Sequence, residues 1–334
     1  MDEPLLHTLT EAEFGARVEP YRRELRAHGY RLLGSLADAE DLVQDTLLRA
    51  WRRRETFAGR APLRAWLYKI ATNLALDLLK QRRRRTLPAA RQAAAGADDP
   101  IPADLNEPIW LEPCPDDLLA PEAAGPEARY SARESVSLAF LTVLQTLPPR
   151  PRAVLILRDV LDWPAQEVAG ALTMTVPAVK SALHRARAAL AQRYTAPAPE
   201  PAALIGAAQE ALLERYVQAW EAADVNGLVA LLRENAVFSM PPIPAWYQGR
   251  AAIRTLVART VFSGPARGRW RLRPTRANGQ PAFGLYRRAE AAGEYALYGV
   301  QVVTLAGAAV AEILTFRTPA LGPHFGLPPA LPLD

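Results

Sequence analysis

Residues 35–51, SLADAEDLVQDTLLRAW, set Asp38, Asp41, Gln44 and Asp45 opposite an apolar stripe of Ala39, Leu42, Val43, Thr46, Leu47, Ala50 and Trp51. Apolar residues recurring at i, i+3, i+4, i+7 and i+8 bury one face of a helix. The other face is then acidic, borders an exposed Leu48, and suits a basic partner; the alternative is a solvated face whose acids favour the helix N-terminus. Phe57, with Gly59 and Pro62 nearby, marks a loop before LRAWLYKIATNLALDLLKQRRRR, a helix predicted to bury Leu67, Ile70, Ala71, Leu74 and Leu78. Arg64, Trp66, Lys69, Asn73, Asp77 and Lys80 fall at or near its solvent side, ahead of the run Arg82 to Arg85. Rings that stack on bases, beside cations that hold phosphates, are what single-stranded nucleic acid requires. A buried Trp followed by a solvated basic helix end is the plainer alternative.

A third stretch, PAQEVAGALTMTVPAVKSALHRARAALAQRY, predicts a helix over 165–171, a short turn and a second helix from Val176. Val176, Val179, Leu183, Ala186 and Leu190 form its buried seam. Lys180, Ser181, His184, Arg185 and Arg187 are left to face a major groove or its phosphates, as in a helix-turn-helix. Taken alone, this motif fits many DNA-binding regulators.

The elements that carry these residues belong to several cores, since the chain has 334 residues of which 50% are hydrophobic and single domains usually take roughly 100–150 residues. A helical domain is read over 10–85, an acidic, proline-rich linker over 86–133, and a second helical domain over 134–195. The run APAPEPA at 196–202 is a stiff spacer. An α+β domain follows over 203–318, with helices first and strands later, and then a tail over 319–334. Two basic blocks flank the acidic linker. Arginine supplies nearly all the positive charge, and its planar fork suits phosphates and base edges.

Other classes of chemistry find little support. The single cysteine, Cys114, excludes an intramolecular disulfide and a multi-cysteine zinc site, and His7, His28, His184 and His324 are scattered. No metal and no cofactor are expected. No apolar run approaches the roughly 18 residues that span a bilayer, and the N-terminus lacks a signal-like pattern, so a cytoplasmic protein without membrane contact is expected.

The stretches SLADAEDLVQDTLLRAW and LRAWLYKIATNLALDLLKQRRRR, in this order, resemble the second conserved region of extracytoplasmic-function sigma factors. LPPRPRAVLILRDVLDWPAQEVA and VKSALHRARAAL resemble the fourth. The resemblance implies a transcription initiation subunit rather than an enzyme, whose partners are core RNA polymerase, through the β′ clamp helices and the β flap, and promoter DNA. Asp38, Asp41, Gln44, Asp45 and Leu48 would contact polymerase. Phe57, Arg64, Trp66, Lys69, Asn73 and Lys80 would lie along the unpaired minus-ten strand, and Lys180, Ser181, His184, Arg185 and Arg187 would read the minus-thirty-five element. The linker phrase WLEPCPDDLL, residues 110–119, resembles that of the subgroup with a C-terminal SnoaL-like domain. LLERYVQAWEAADVNGLVALLRENAVFSMPP and YQGRAAIRTLV resemble that domain's cone fold.

In the cone, Trp220, Phe238, Met240, Trp246 and Tyr247 are candidate pocket residues for a small hydrophobic ligand, with ordinary core as the favoured alternative. No convincing general base accompanies them: Asp224 sits in a helix-turn context, Glu234 looks exposed and His324 lies in the tail. The expected architecture is therefore two all-α domains, the second with a helix-turn-helix, followed by an α+β SnoaL-like domain that regulates them in cis. A ligand-sensing helix-turn-helix regulator without a sigma role is the alternative; it leaves the acidic helix and residues 57–85 without purpose.

Overall fold

The computed structural model describes residues 6–57, 59, 61–81, 84–105, 110–119, 137–193, 206–264, 266–289 and 293–333. The spacer at 196–202 and residues Arg82 and Arg83 of the basic run lie outside them. The chain divides into two compact units, residues 1–85 with 117–198, and residues 86–116 with 199–334.

In the first unit, α1 (Glu11–Val18) starts at a capping box in which Thr10 and Glu13 satisfy each other's backbone N–H groups. Helix α2 (Arg22–Leu33) ends at Gly34, whose φ of 73° supplies a left-handed C-cap. Ser35 then caps α3 (Leu36–Arg52) by accepting from the Asp38 N–H at 3.2 Å. The tight α2–α3 crossing needs Gly29: a Cβ there would stand 2.9 Å from the Leu42 side chain. Ala39, Leu42, Val43, Thr46 and Ala50 of the expected stripe are buried on α3, together with Leu36, while Leu47 and Trp51 are half-buried. A fully buried Leu or Val side chain contributes about 1.5–3 kcal/mol.

Helix α4 (Leu63–Gln81) buries Leu67, Tyr68, Ala71, Thr72, Leu74, Ala75 and Leu76. A single helical turn, α5, covers Asp116–Leu119. Helices α6 (Leu138–Thr146), α7 (Pro149–Leu155), α8 (Ala165–Leu172) and α9 (Val176–Arg193) follow, with a π-helical turn at Ile156–Val160 between α7 and α8. Thr173, at φ 54°, ends α8 in the left-handed region, and the Thr175 hydroxyl caps α9 through the Ala178 N–H at 3.3 Å.

The C-terminal helices pack on the N-terminal ones within this unit. Arg152 of α7, 1% exposed, ties them together. Its guanidinium donates to the Leu32 carbonyl at the end of α2 (2.6 Å), to the Gln145 side-chain oxygen (2.6 Å) and to the carbonyls of Gln145 (2.8 Å) and Leu147 (3.0 Å). Gln145 in turn donates to the Arg31 carbonyl at 3.2 Å. The negative ends of two helices face one cation.

In the second unit, α10 (Ala207–Glu221), α11 (Val225–Leu231) and α12 (Arg250–Arg259) share one core with a sheet. The strands are β1 (Leu232–Ser239), β2 (Trp246–Gln248), β3 (Trp270–Ala277), β4 (Gln280–Ala289), β5 (Glu294–Ala306), β6 (Ala309–Phe316) and β7 (Ala330–Pro332). Their order is β2-β1-β6-β5-β4-β3, and β7 joins β5. The β1–β6 pair is parallel and the others are antiparallel.

Two segments are held to this unit more extensively than expected. Residues 86–116, part of the stretch read as a linker with short anchored pieces, are fastened to this unit along much of their described length. The Ala95 N–H donates to the Trp246 carbonyl on edge strand β2 at 2.8 Å, and Leu105 to the Pro242 carbonyl at 3.2 Å. At the opposite edge Pro115 bridges to Ala277 of β3, and the Asp116 carboxylate holds the Gly279 N–H (2.6 Å) and Arg276 (2.9 Å). Residues 319–334, read as a tail beyond the α+β domain, contribute β7 and a 3-10 turn at Pro319–Phe325. Tyr286 donates to the Pro328 carbonyl at 2.9 Å, and Leu327 packs on Gly284, where a Cβ would collide with it. Edge positions spare both segments the central-sheet penalty for proline.

Candidate functional site

The acidic side of α3 is an open face: Asp41, Gln44, Asp45 and Leu48 are all exposed, Leu48 at 47%. Asp45 and Leu48 line a shallow groove with Arg49, Arg52 and Arg53. Asp38 does not belong to this face, contrary to the sequence reading. Its carboxylate is 12% exposed and pairs with Arg85 at 2.8 Å, so it is spent on holding the chain at the end of the α4 segment.

On the next loop and helix, the Phe57 and Trp66 rings meet at 5.2 Å in a tilted pair, both half-buried. Lys69 is exposed, and Lys80 is exposed while paired with Asp77 at 2.8 Å. Arg64 is half-buried and gripped by Glu24 at 2.8 and 3.0 Å, with its guanidinium over Tyr68. Asn73 donates to the Lys69 carbonyl at 2.7 Å and to the Ala171 carbonyl of α8 at 3.3 Å. The aromatic and cationic groups are thus brought together, but Arg64 and Asn73 are engaged by the protein's own groups. Tyr68 stacks obliquely on Trp163 at 5.4 Å beside them.

Helix α9 exposes Lys180, Ser181, His184, Arg185 and Arg187 together. Its buried seam includes Val179, Ala182, Leu183 and Ala186. Arg185 donates to the Ser181 hydroxyl at 2.6 Å, while both arms of Arg187 grip Asp159 at 2.8 and 2.7 Å. That hydrogen bond raises the Arg187 pKa further, and Lys180, His184 and Arg185 are the side chains turned outward without it.

Two groups that pattern reading passed over shape this unit's electrostatics. Arg152 has no carboxylate among its hydrogen-bond acceptors, and burial, with Arg84 adding like charge, pulls its pKa down to about 10. His28 is fully buried, and burial followed by Arg31 and Arg64 pushes its pKa down to about 3. Its Nε2 lies 2.9 Å from the Thr72 hydroxyl, which itself donates to the Tyr68 carbonyl at 2.7 Å. His28 is therefore neutral, with Nε2–H as the donor.

In the second unit Trp220, Phe238, Met240 and Tyr247 are core residues, between 0% and 6% exposed. Trp220 meets Phe262 at 5.1 Å and Trp270 at 5.9 Å, both edge-on, and Tyr216 at 6.3 Å. These rings occupy the space between helices and sheet. Trp246 is half-buried instead: its Nε1–H donates to the Gln92 carbonyl at 2.8 Å, so it serves to hold the 86–116 segment. Asp224 caps α11 through the Gly227 N–H at 2.9 Å, and the Glu234 side chain is 89% exposed. His324 sits half-buried in the turn after β6. Among the described residues no group of three or more His, Cys, Asp or Glu could hold a metal ion.

Comparison with known proteins bears on both units. Models of sigma-70 region 2, sigma-70 region 4 and the SnoaL-like domain match residues 17–85, 137–190 and 213–313. The chain is 46% identical over 330 residues to the ECF RNA polymerase sigma factor SigG of Mycobacterium tuberculosis, covering 96% of this chain and 85% of that protein. It is 31% identical over 227 residues to the ECF RNA polymerase sigma factor SigJ of the same organism, covering 67% of this chain and 64% of SigJ. The crystal structure of SigJ superposes with a TM-score of 0.58 at 21% identity, over 94% of this chain and 99% of that one, which establishes a shared fold.

Proposed function

Because the chain belongs to the extracytoplasmic-function family of RNA polymerase sigma factors, we propose that it docks on the β′ clamp helices through Asp41, Gln44, Asp45 and Leu48. In this reading Phe57, Trp66 and Lys69 meet the unpaired minus-ten strand, joined by Arg64, Asn73 and Lys80 as their present partners let go. Lys180, Ser181, His184 and Arg185 read the minus-thirty-five duplex, and Arg187 orients α9 through Asp159 while reaching a phosphate. The β flap is the proposed seat of residues 137–190.

The observation that carries this reading is the open acidic face of α3, bordered by an exposed leucine, directly ahead of an aromatic and basic loop and helix. An apolar anchor within a charged rim is what a protein interface needs. A helix-turn-helix regulator acting alone has no use for it.

Regulation in cis is the second part of the proposal. Asn73 and Tyr68 of α4 are occupied by Ala171 and Trp163, and the segment joining the two sigma regions in sequence is held along both edges of the SnoaL-like sheet. Both observations favour a resting form that core polymerase must open, which it does to the extent that it binds the open form more tightly. The aromatic filling of the SnoaL-like core and the posts taken by Asp224, Glu234 and His324 favour a structural rather than catalytic role for that domain.

Permanganate footprinting on promoter DNA tests the reading. Thymines around the start site should become reactive only when chain and core are both present. Protection of duplex DNA by the chain alone, with no strand opening on adding core, would instead support the lone regulator.

A further inference from the structure

The β3–β4 hairpin of the SnoaL-like domain carries a charge pattern that the sigma modules do not account for. Between Ala266 and Ala289 stand seven arginines, Arg267, Arg269, Arg271, Arg273, Arg276, Arg287 and Arg288, and no Asp or Glu. Register sorts them. Trp270, Leu272, Leu285 and Phe283 point into the core, so Arg271 and Arg273 share the outer face. One step before β3, Arg269 faces Arg288 across the hairpin, and the Arg288 N–H donates to the Arg269 carbonyl at 2.8 Å.

Acids answer only part of this charge. Arg276 is held by Asp116 at 2.9 Å, and Arg271 reaches Glu221 at 3.4 Å while lying over the Tyr295 ring at 5.2 Å. Arg267, Arg273, Arg287 and Arg288 are exposed, and Arg269 is half-buried among them.

We propose that this arginine face of the β3–β4 hairpin binds the phosphate backbone of promoter duplex DNA, giving the SnoaL-like domain a nucleic-acid contact of its own. Arginines two apart on one strand face are about 7 Å from each other. Phosphates recur at a rise of roughly 3.4 Å along the axis on each DNA strand, so a face several residues long, with Arg273 and Arg288 exposed on it, can meet more than one of them. Each guanidinium offers a phosphate two parallel donors. Contacts of this kind to the backbone add affinity without sequence preference. The choice of duplex DNA rests on the sigma reading, which places the chain at promoters.

The test uses the full-length chain and a short fluorescent duplex without promoter elements, followed by anisotropy across a salt series. Arg273→Gln and Arg288→Gln, both on the outer face and exposed, are combined in one variant, the same positions are changed to Lys in a second, and Lys180→Ala with Arg185→Ala make a third. The glutamine variant should bind at least about tenfold more weakly at low salt, and its slope of log affinity against log salt should be shallower by about 2, at about 0.9 per phosphate contact. The lysine variant should stay within about threefold of the unaltered chain, because its charge is kept. The α9 variant should lose affinity while remaining sensitive to the glutamine changes.

An unchanged slope and affinity in the glutamine variant would overturn the proposal. So would equal losses in the lysine variant, or dependence on these arginines for single-stranded RNA but not for duplex. Promoter-dependent transcription, measured in parallel, separates the sigma reading from this one: hairpin-dependent duplex binding without transcription would leave the hairpin contact standing and the sigma reading not.

Discussion

Arg152 Nη1 donates to the Leu32 carbonyl at 2.6 Å, joining a helix of the region 4 match to the end of a helix of the region 2 match. The contact matters because both groups are buried and the guanidinium has no carboxylate among its acceptors. Losing it leaves four carbonyl-type acceptors to find other donors.

Arg152→Lys should therefore cost about 2–4 kcal/mol of stability, since an ammonium keeps the charge but cannot fork across these acceptors. Urea unfolding of the full chain checks this. A change within about 0.5 kcal/mol, the range of an ordinary surface substitution, would mean that Arg152 is not a tie between the helices.

Asp38 and its neighbours on α3 should separate cleanly. Asp41→Arg and Asp45→Arg should leave stability unchanged and weaken binding to core polymerase at least about tenfold, because a like charge then meets a basic partner. Asp38→Ala should instead lower stability by about 1–2 kcal/mol, since it removes the acceptor of a largely buried charge-assisted hydrogen bond to Arg85. Core-binding titrations and melting curves on the three variants distinguish the two roles.

His28 makes the first unit acid-sensitive. The unfolded imidazole takes up a proton near pH 6.5, whereas the buried one does so only near about 3. Between those values the unfolded state binds one proton more than the native state. The stability His28 contributes is thus complete above pH 6.5 and falls by about 1.4 kcal/mol per pH unit below it. Comparing unfolding at neutral pH and near pH 5 in the unaltered chain and in His28→Gln should show that slope only in the former.

Pattern reading reached α3, α4 and α9 because each buries one face at the helical period, so its exposed side follows from its buried one. It placed Asp38 wrongly on the open face because the partner that buries it, Arg85, lies 47 residues away, beyond any local rule. The same limit hid the seat of the 86–116 segment. Cys114 and Asn278 stand 164 residues apart, yet the Cys114 N–H donates to the Asn278 side chain at 2.8 Å, and the Asn278 N–H returns to the Cys114 carbonyl at 2.9 Å. Proline-rich composition told only that this stretch is no helix. The strand in the tail went unread for a similar reason, since proline is compatible with an edge strand such as β7. Arg152 and His28 were passed over because periodicity marks what is buried and not how a buried polar group is satisfied.

Cys114 offers a direct probe of the held segment, being the chain's one cysteine and fully buried. Its reaction with a thiol reagent should be slow in the free protein and at least about tenfold faster once core polymerase is bound, as local opening is populated. Asn278→Gly keeps the left-handed backbone at φ 53° but removes the side-chain acceptor. It should speed labelling of the free protein about fivefold, the worth of one hydrogen bond. Equal rates in all three samples would mean that the segment stays in place.

Run-off transcription with core polymerase tests the central claim most directly, using the full chain, the Asp41→Arg variant and a truncation ending at Ala196. The account predicts transcripts from a defined start with the full chain, at least about tenfold fewer with Asp41→Arg, and more than the full-chain yield with the truncation, which has lost the sheet that holds residues 86–116. No promoter-dependent transcript from the full chain or from the truncation would contradict it.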